Sequence, residues 1–531
     1  RHMQPAEGIS TSMAVIPAFF RSLGRLALGC TFVAAFPASA LASWTFADVA
    51  NQAKQLATER YTAPERAMPA ALSNIDFATY ESIRQKPEAW LWGDTASPFR
   101  IELYHVGMHY TAPVTLNVVD ADGVRPVRYD AGQFDFGDIA FDHPSLEGSG
   151  IAGFRVLYPI NDPGQSELVA SFLGASYFQM VGAGQVAGAL ARGLAVDTGL
   201  PSGEQFPWFR EFWLLRPGPS DRHLTLYALL DAPSVTGAYR FTIHPGEQTM
   251  VEVKAELFFR NQVGKLGLAP LTSMFLHGAN QPPGNHHFRL ELHDSEGLSI
   301  ATANGEWLWR PLNNPRRLAI SAFQLDNPRG FGLLQRTRDF NRYEDLDHRY
   351  DQRPGVWVEP QGDWGPGQIE LVEIPSTDET NDNIVAFWTP ARVPAAGESL
   401  SVSYRLHWTR DDTALMPDNL AWVAQTRRTP GEVRGPDMVR KPDGTVVFRV
   451  DFVGGELSEL PEDAALTADI SQNGNVEILA NTLRFHPVNG GRRLNLKIKV
   501  LDPAKPVELR ARLLHEGAPV SEVWSQQIPN G

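Results

Sequence analysis

Residues 369–388 read IELVEIPSTDETNDNIVAFW, and they predict two strands joined by an acidic loop. The aliphatic and β-branched side chains of 369–374 favour a strand, which Pro375 ends because proline cannot donate to a strand ladder. The apolar run 384–388 predicts the second strand. The loop between them carries three carboxylates, Asp378, Glu379 and Asp382. An acidic loop on a rigid scaffold suits acid chemistry, and a solvated polar hairpin loop is the simpler alternative.

Short alternating apolar runs, broken by Gly and Pro, recur from about residue 98 onward. The clearest are Phe99–Tyr104, Val114–Val118, Phe154–Tyr158, Leu224–Leu230, Tyr239–Ile243, Thr249–Phe258 and Leu318–Phe323. Before them, residues 45–90 place apolar side chains at helical spacing, most clearly from Phe46 to Ala57. Residues 43–409 are therefore predicted to form one large antiparallel β-sandwich.

Residues 410–421 interrupt the strand rhythm and are predicted to be a linker. The remaining residues, 422–531, contain a dense series of short strand-like runs. These are Trp422–Thr426, Thr445–Phe452, Val476–Ala480, Thr482–Phe485, Leu494–Val500, Val507–Leu513 and Val520–Trp524. Such a series predicts a small immunoglobulin-like sandwich that lacks the usual cysteine pair. The whole chain is thus predicted to be all-β.

The composition excludes several classes of partner. The 531 residues carry a formal net charge of −14, with 43% apolar and 20% charged residues, as in an ordinary globular protein of two or more domains. The negative charge argues against a nucleic-acid partner and against docking on anionic lipid. The 13 Trp, 28 Phe and 12 Tyr supply rings for the core and flat faces for a ligand.

The N-terminal segment 1–42 is predicted to be a short remnant ahead of Met3 followed by an export signal. Its apolar stretch, 26–36, is too short to span a membrane, and Ala40-Leu41-Ala42 has the form of a cleavage site. We therefore expect a mature chain that starts near Ser43, resides in the periplasm and is not inserted in the membrane.

The single cysteine, Cys30, lies inside this predicted signal. The mature chain would then have neither a disulfide nor thiol chemistry, which fits a bacterial periplasmic protein with a large core. Residues 26–30, LALGC, also suggest a lipoprotein signal, although Ala40-Leu41-Ala42 is the better cleavage site.

Two patterns suggest a cofactor or a metal, and both have better explanations. Residues 182–187, GAGQVA, match a dinucleotide fingerprint, but Asp197 follows too closely for the ribose-binding acid and no parallel αβ pattern surrounds them. His286, His287 and His293 form the densest histidine group, yet adjacent residues on a strand face opposite ways. We expect no cofactor and no metal.

Two further segments are candidates for ligand contact. Trp307 and Trp309 fall on one face of a predicted strand, where they are either core residues or a stacking floor for a sugar ring. The segment 338–354 is dense in both charge signs, which fits either a solvated loop or a functional one. Its candidates for hydrogen bonds to sugar hydroxyls, or for tuning the pKa of an acid, are Tyr343, Arg349, Tyr350 and Arg353.

The residues alone thus predict an exported acidic β-protein with scattered carboxylates and many aromatic side chains. Among enzymatic reactions, paired-carboxylate chemistry on a polysaccharide fits best. A glycan-binding protein without catalysis fits nearly as well.

Several long motifs resemble the glucan biosynthesis proteins G and D, periplasmic proteins that make osmoregulated periplasmic glucans in Gram-negative bacteria. The motifs are YHVGM at 104–108, GFRVLYPIN at 153–161, LGASYF at 173–178, PLTSMF at 270–275, GEW at 305–307, WRPLNNP at 309–315, EIP at 373–375 and ETNDNIVA at 379–386. The resemblance covers about 44–531. It implies a galactose-mutarotase-like sandwich followed by an immunoglobulin-like domain, and it implies anomer-inverting action on β-1,2-glucan.

The resemblance also implies residue roles. Asp382 resembles the family's general acid, Asp294 the general base, Tyr350 a member of the proton path to that base and Arg353 a nearby site residue. Glu379 is expected to contact the substrate. The twin-arginine signal of D-type members is not matched, because Ser-Leu-Gly separates Arg21 from Arg25.

Two expectations about the chemistry follow. Crowding among the three acids of the loop would raise the pKa of Asp382 and keep it protonated. Asp294 and Asp382 should lie on opposite walls of one cleft, at least about 6.5–9.5 Å apart as in inverting enzymes. An endo-β-1,2-glucanase, a transglycosylase that transfers or cyclises the glucan, and a glucan-binding protein remain open, as does a homodimer.

Overall fold

The computed structural model describes residues 43–66, 68–139, 146 and 148–530. The predicted export signal lies outside these residues. Within them there are four α-helices: Phe46–Leu56, Ala70–Ser73, Phe77–Ser82 and Phe340–Tyr343. The 3₁₀ turns are Pro87–Ala89, Ala131–Gln133, Tyr350–Gln352, Thr413–Leu415 and Gly455–Ser458. No helix in the described segments is long and apolar enough to cross a membrane.

Strands make up most of the regular secondary structure, and most of them belong to two large sheets. The first sheet has the spatial order Arg100–His105, Ile151–Tyr158, Glu167–Leu173, Tyr177–Met180, Leu190–Arg192, Leu266–Ser273, Ile384–Pro390, Pro366–Glu373, Ala319–Asp326, and Ala195–Val196 pairs with Leu266–Ser273. The second has the order Leu466–Gln472, Val507–His515, Val523–Ile528, Trp307–Pro311, Gly297–Ala301, Gly330–Leu334, Gly355–Gln361, Ser399–Thr409, Met250–Phe259, Val235–His244, Leu224–Asp231, Trp208–Leu215, Thr115–Asp120, Gly123–Pro126, and Ala518–Pro519 pairs with Val507–His515.

The remaining strands form three smaller sheets. The third sheet has the order Trp422–Arg434, Arg440–Val453, Arg492–Val500, Val476–Phe485. The two-stranded pairs are Arg84–Gln85 with Phe134–Asp135, and Phe275–His277 with Leu292–His293. The chain is therefore all-β, as the sequence predicts.

The first and second sheets face each other across an aromatic core. Phe154 and Phe172 of the first sheet meet Phe212 and Phe241 of the second, with ring centroids 5.1 Å apart for Phe154–Phe212 and 5.2 Å for Phe172–Phe241. These rings are almost completely buried. Burial of such rings supplies most of the hydrophobic stabilisation of a sandwich, so these contacts hold the two layers together.

The N-terminal helix covers the outer face of the second sheet. Its buried side chains Val49, Ala50 and Ala53 pack among residues that include Trp213 and Tyr227. A threonine of the sheet, Thr236, donates to the carbonyl of Ala53 over 2.6 Å. The helical spacing of this segment in the sequence thus reflects a real amphipathic helix.

The C-terminal strands form two facing layers. The third sheet packs on the terminal strands of the second, where the rings of Phe448 and Trp524 lie 5.4 Å apart. The second sheet continues from the large sandwich through a parallel pair, Leu308 with Val523 and Trp309 with Trp524. Strand pairing therefore continues from the large sandwich into the C-terminal strands, and the domain boundaries at 409 and 421 remain a prediction.

Two strand assignments need correction. The runs Val476–Ala480 and Thr482–Phe485 form one strand, whose register shifts between Ile478 and Ala480. The predicted strand Val520–Trp524 begins only at Val523, because Ser521 instead bridges to Ala421.

Candidate active site

The acidic loop is a hairpin loop, as predicted. Strands Pro366–Glu373 and Ile384–Pro390 pair in antiparallel fashion up to Glu373 and Ile384, so residues 374–383 connect them. Ionisable side chains on a loop held by two buried strands are positioned by the scaffold rather than by the solvent.

Two asparagines fix the ends of this loop. Asn383 is buried, donates to the carbonyls of Phe275 (2.9 Å) and Ile374 (3.1 Å), and accepts from the Phe275 N–H over 2.9 Å. Asn314 accepts from the N–H of Ser376 and donates to its carbonyl, over 2.9 and 2.8 Å. These side chains satisfy backbone groups that the turn leaves unpaired, so the position of Asp382 is fixed from both ends.

Asp382 opens into a cavity of about 500 Å³ between the walls of the large sandwich. Its pKa is raised to about 6, chiefly by burial and then by the charge of Asp294, with Arg353 acting in the opposite direction. The Asp382 side chain is exposed to water inside the cavity. The cavity walls displace most of the bulk water that would otherwise surround it. No hydrogen bond or ion pair of its carboxylate occurs within the described part of the chain.

The cause of this pKa differs from the predicted crowding of three acids. Asp378 is half-buried, and a hydrogen bond from Thr380 lowers its pKa. Burial opposes the lowered pKa of Glu379, but a backbone hydrogen bond and Arg289 outweigh it. The raised pKa of Asp382 therefore comes from its cavity and from a carboxylate distant in sequence, because its loop neighbours are turned toward other partners.

Aromatic side chains form much of the cavity wall, and none of them was among the site residues predicted from the sequence. They come from separate parts of the chain: Tyr61, His109, Tyr110, Tyr177, Phe206 and Trp208. Phe206 is 55% exposed, and the Trp208 indole N–H has no partner among the described residues. Flat rings beside an unpaired donor suit a carbohydrate, whose faces are apolar and whose edges carry hydroxyls.

A glycine allows one of these rings to approach the chain closely. Gly174 has φ +76°, and a Cβ there would lie 2.9 Å from the ring of Tyr110. Any larger residue would therefore combine a strained backbone with a clash against the cavity wall. This position explains the glycine of the LGASYF motif.

Asp294 is buried and paired with a guanidinium. It follows the short strand Leu292–His293, and its N–H donates to the carbonyl of Met274 over 2.8 Å. Arg353 Nη1 donates to its carboxylate over 2.6 Å. The side chain of Asp294 is 10% exposed, so few water molecules can reach the carboxylate directly.

Tyr350 begins the 3₁₀ turn Tyr350–Gln352, and Arg353 follows it directly. The Arg353 guanidinium carbon is 4.3 Å from the centroid of the Tyr350 ring. Arg338 donates to the carbonyls of Asp351 (3.2 Å) and Arg353 and so holds the turn. Burial raises the pKa of Tyr350 to about 12, an increase that Arg353 opposes and Asp294 supports. The phenol is therefore neutral at physiological pH and can both accept and donate a proton.

A buried polar chain supports this turn from behind. Gln335 Nε2 donates to the carbonyl of Tyr350 over 2.6 Å, and its Oε1 is 2.6 Å from Nδ1 of His293. Nε2 of His293 is 2.8 Å from Glu291. Burial lowers the pKa of His293, but Glu291 more than offsets this and the pKa is raised. A satisfied buried network of this kind restricts the turn to one conformation.

The side chains of Tyr343 and Arg349 make hydrogen bonds within the protein rather than facing the cavity. Tyr343 is fully buried and donates to the carbonyl of Thr337 over 2.9 Å. Arg349 makes two hydrogen bonds to Asp351, of 3.0 and 2.8 Å. We therefore do not carry either residue into the proposed site.

The two tryptophans of the GEWLW strand belong to the core shared with the C-terminal strands. Trp307 stacks on Trp357 with centroids 5.3 Å apart, and the Arg336 guanidinium lies 3.7 Å from the Trp309 ring. They are 9% and 2% exposed, which leaves no open ring face for a sugar. Trp307 and Trp309 are therefore core residues, and the proposed site does not include them as a stacking floor for a sugar.

Of the predicted site residues, four are thus linked around one region: Asp382, Asp294, Arg353 and Tyr350. Direct contact links Asp294 to Arg353 and Arg353 to Tyr350, and the charges of Asp294 and Arg353 act on the pKa of Asp382. Glu379 lies on the same hairpin loop and pairs with Arg289. Within the described residues, no group of three or more His, Cys, Asp or Glu is arranged to hold a metal ion.

Comparison with known proteins gives a single family. The model of the family described as "Periplasmic glucan biosynthesis protein, MdoG" matches residues 44–528. The chain is 52% identical over 512 residues to Glucans biosynthesis protein G of Pseudomonas aeruginosa, covering 96% of this chain and 98% of the relative. It is also 52% identical over 496 residues to the protein of the same name from Pseudomonas syringae pv. tomato, covering 93% of this chain and 77% of the relative. The chain therefore belongs to the periplasmic glucan biosynthesis family.

Proposed function

We propose that the protein is an anomer-inverting enzyme of the periplasm that cleaves β-1,2-glucan during the synthesis of osmoregulated glucans. The observation that carries the proposal is the raised pKa, about 6, of Asp382 in an aromatic cavity, with its charge coupled to the buried carboxylate of Asp294. A pair of carboxyls in unlike environments is the basis of acid and base roles in glycoside hydrolysis.

In this proposal Asp382 is the general acid. Its protonated carboxyl donates to the glycosidic oxygen as the bond to the anomeric carbon breaks. The absence of a competing hydrogen bond within the described residues leaves that proton free for the substrate. A pKa near 6 keeps a useful fraction of the acid protonated around neutral pH, since efficiency is greatest when the pKa lies near the working pH.

The base acts through a relay. Asp294 is buried and engaged by Arg353, so we propose that the attacking water gives its proton to the Tyr350 hydroxyl, which passes its own proton to Asp294. The neutral phenol, with its pKa of about 12, suits a group that exchanges protons without remaining charged. Attack from the face opposite Asp382 inverts the anomeric configuration. The ionised acid and protonated base then return to their starting states by exchange with solvent.

The test is incubation of the purified protein with linear β-1,2-glucan, followed by measurement of reducing ends, product size and anomeric configuration. Asp382→Asn is expected to lose activity by about 100- to 10,000-fold, the range of general acid–base catalysis. Asp378→Asn is the matched control, because this acid lies on the same loop but is hydrogen-bonded to Thr380 and does not line the cavity.

Each outcome separates one activity from another. Shorter chains with inverted new reducing ends, lost in Asp382→Asn, support the glucanase. Products that depend on Asp382 but bring no matching gain in reducing ends indicate transfer or cyclisation at the same site. Binding of glucan without products refutes the catalytic roles and leaves a glucan-binding protein.

The fold of the acid variant can be checked by thermal unfolding. The pKa of Asp382 is higher in the folded chain than in an unfolded one, so its ionisation costs stability as the pH rises through about 6. Asp382→Asn should therefore be at least as stable as the wild type at pH 8, and its inactivity would not reflect unfolding.

A further inference from the structure

Arg289 lies on the excursion between strands Phe275–His277 and Leu292–His293 and contacts two other loops. Its Nη1 is 3.2 Å from a carboxylate oxygen of Asp345, and its Nη2 is 3.1 Å from a carboxylate oxygen of Glu379. Glu379 belongs to the hairpin loop that carries Asp382, and Asp345 belongs to the charged segment that carries Tyr350 and Arg353. One guanidinium thus joins both sides of the proposed site.

The contact continues from Asp345 to the general base. Asp345 accepts from the backbone N–H of His348 over 2.8 Å, and the carbonyl of His348 accepts from Arg353 Nε over 3.0 Å. Arg353 in turn donates to Asp294 over 2.6 Å. A series of hydrogen bonds, joined through the backbone of His348, therefore leads from Glu379, three residues before the acid, through Arg289 to the base.

This ion-pair group differs from an ordinary surface salt bridge. The side chains of Arg289 and Asp345 are 15% and 10% exposed, so solvent and salt screen their attraction less than on an open surface. The planar guanidinium also fixes the relative orientation of its two partners, which the point charge of a lysine does not. The exposed pair Arg392–Glu398, 74% and 40% exposed, provides the contrast within the same chain.

We propose that Arg289 is a positioning residue, whose guanidinium ties the loop of the general acid to the segment that carries Tyr350 and Arg353, the partners of the general base, and so sets the separation of the two carboxyls. The inference rests on the proposed function. It assigns Glu379 to this tie rather than to substrate contact. Because the proposed mechanism needs room for one water between the sugar and the Tyr350 hydroxyl that relays its proton to the base, a loss of this separation should slow the chemical step more than glucan binding.

The test compares Arg289→Met, Arg289→Lys and the control Arg392→Met in the full chain. For Arg289→Met we expect kcat to fall about 100-fold with KM changed by less than about threefold, since a misplacement of about 1 Å can cost that much in rate. Arg289→Lys should recover part of kcat, because one charge can hold only one of the two acids well. Arg392→Met should keep both constants.

Hydrogen exchange gives a readout that does not need activity. Amides of 374–383 and 338–349 should exchange faster in Arg289→Met than in the wild type, because the tie between the two loops is lost. The same loops should be unchanged in Arg392→Met. Unchanged exchange in Arg289→Met, or an unchanged kcat, would overturn the proposal.

A second variant keeps the test valid if Arg289→Met folds poorly. Glu379→Gln weakens the tie from the more exposed side, and its loss of kcat should not add to that of Arg289→Met, because both remove one interaction. Additive losses would overturn the proposal. If the wild type does not turn over glucan, the proposed function fails, and the exchange experiment alone decides whether Arg289 ties the loops.

Discussion

The two carboxyls of the site occupy opposite surroundings. Asp382 lies on a hairpin loop, faces a cavity with aromatic walls and has no hydrogen-bond partner within the described residues. Asp294 is buried, ion-paired to Arg353 and backed by a chain of satisfied polar groups. Two identical side chains thus have different surroundings, and this difference underlies their proposed roles as acid and base.

The difference also separates binding from proton handling. The acid side offers rings and open volume, which suit sugar units, whereas the base side offers charges and a buried phenol. Substitutions on the base side should therefore change kcat, and substitutions in the aromatic wall should change KM. Four substitutions test that division.

Asp294→Asn should lower kcat by about 1,000-fold or more, within the range of a lost general base. The amide keeps the shape of the side chain but cannot accept the proton. Steady-state kinetics on linear β-1,2-glucan measures the effect. Asp469→Asn is the control, because Asp469 pairs with Arg512 on the C-terminal strands and should leave kcat unchanged. An active Asp294→Asn would remove this residue from the mechanism.

Tyr350→Phe should lower kcat about 100-fold while leaving KM nearly unchanged, because only the relaying hydroxyl is removed and the ring remains. Its packing under Arg353 needs the ring alone. Kinetics combined with glucan binding by calorimetry would separate the two effects. If KM rose with kcat constant, Tyr350 would be a substrate contact and the relay would be wrong.

Arg353→Met should move the alkaline limb of the pH–rate profile upward. Arg353 lowers the pKa of Asp382, so its removal should raise that pKa and extend the protonated form of the acid to higher pH. The measurement is kcat/KM against pH, which reports groups of the free enzyme. Arg349→Met is the control, since Arg349 pairs with Asp351 and is not among the groups that shift Asp382. A limb that moves downward would contradict the assignment.

Phe206→Ala should raise KM by about 10-fold with little change in kcat, since a lost aromatic contact is worth about 0.5–1.5 kcal/mol. Phe77→Ala is a matched control, because Phe77 is 58% exposed, close to the 55% of Phe206, but does not line the cavity. Equal effects of the two variants would show that the aromatic wall does not bind glucan.

The strand pattern and the acidic hairpin could be predicted because both are local. Alternation along 369–374 and 384–388 defines the two strands, and Pro375 marks the end of the first. The Asn-Asp-Asn motif pointed to Asp382, and the resemblance of other motifs pointed to Asp294, Tyr350 and Arg353. These features are encoded in neighbouring residues or in long recognisable motifs.

The remainder depends on contacts between distant segments. The source of the raised pKa of Asp382 is a cavity and the charge of Asp294, 88 residues earlier, and local spacing suggested the loop acids instead. Tyr110, Tyr177 and Trp208 meet only in the folded sandwich. Trp307 and Trp309 have the pattern of a stacking face, but the C-terminal strands cover them, and a sequence cannot state which layer covers a strand.

The proposed pairing of Asp382 with Asp294 is tested most directly by titration of Asp382 by carboxyl-carbon NMR, with Asp382→Asn to assign the signal. We expect a pKa of about 6 in the wild type and a lower value in Asp294→Asn, because the charge of Asp294 raises it. A pKa near the ordinary value of about 3.9 that does not move in Asp294→Asn would refute the pairing, since the two carboxyls would then not share one site.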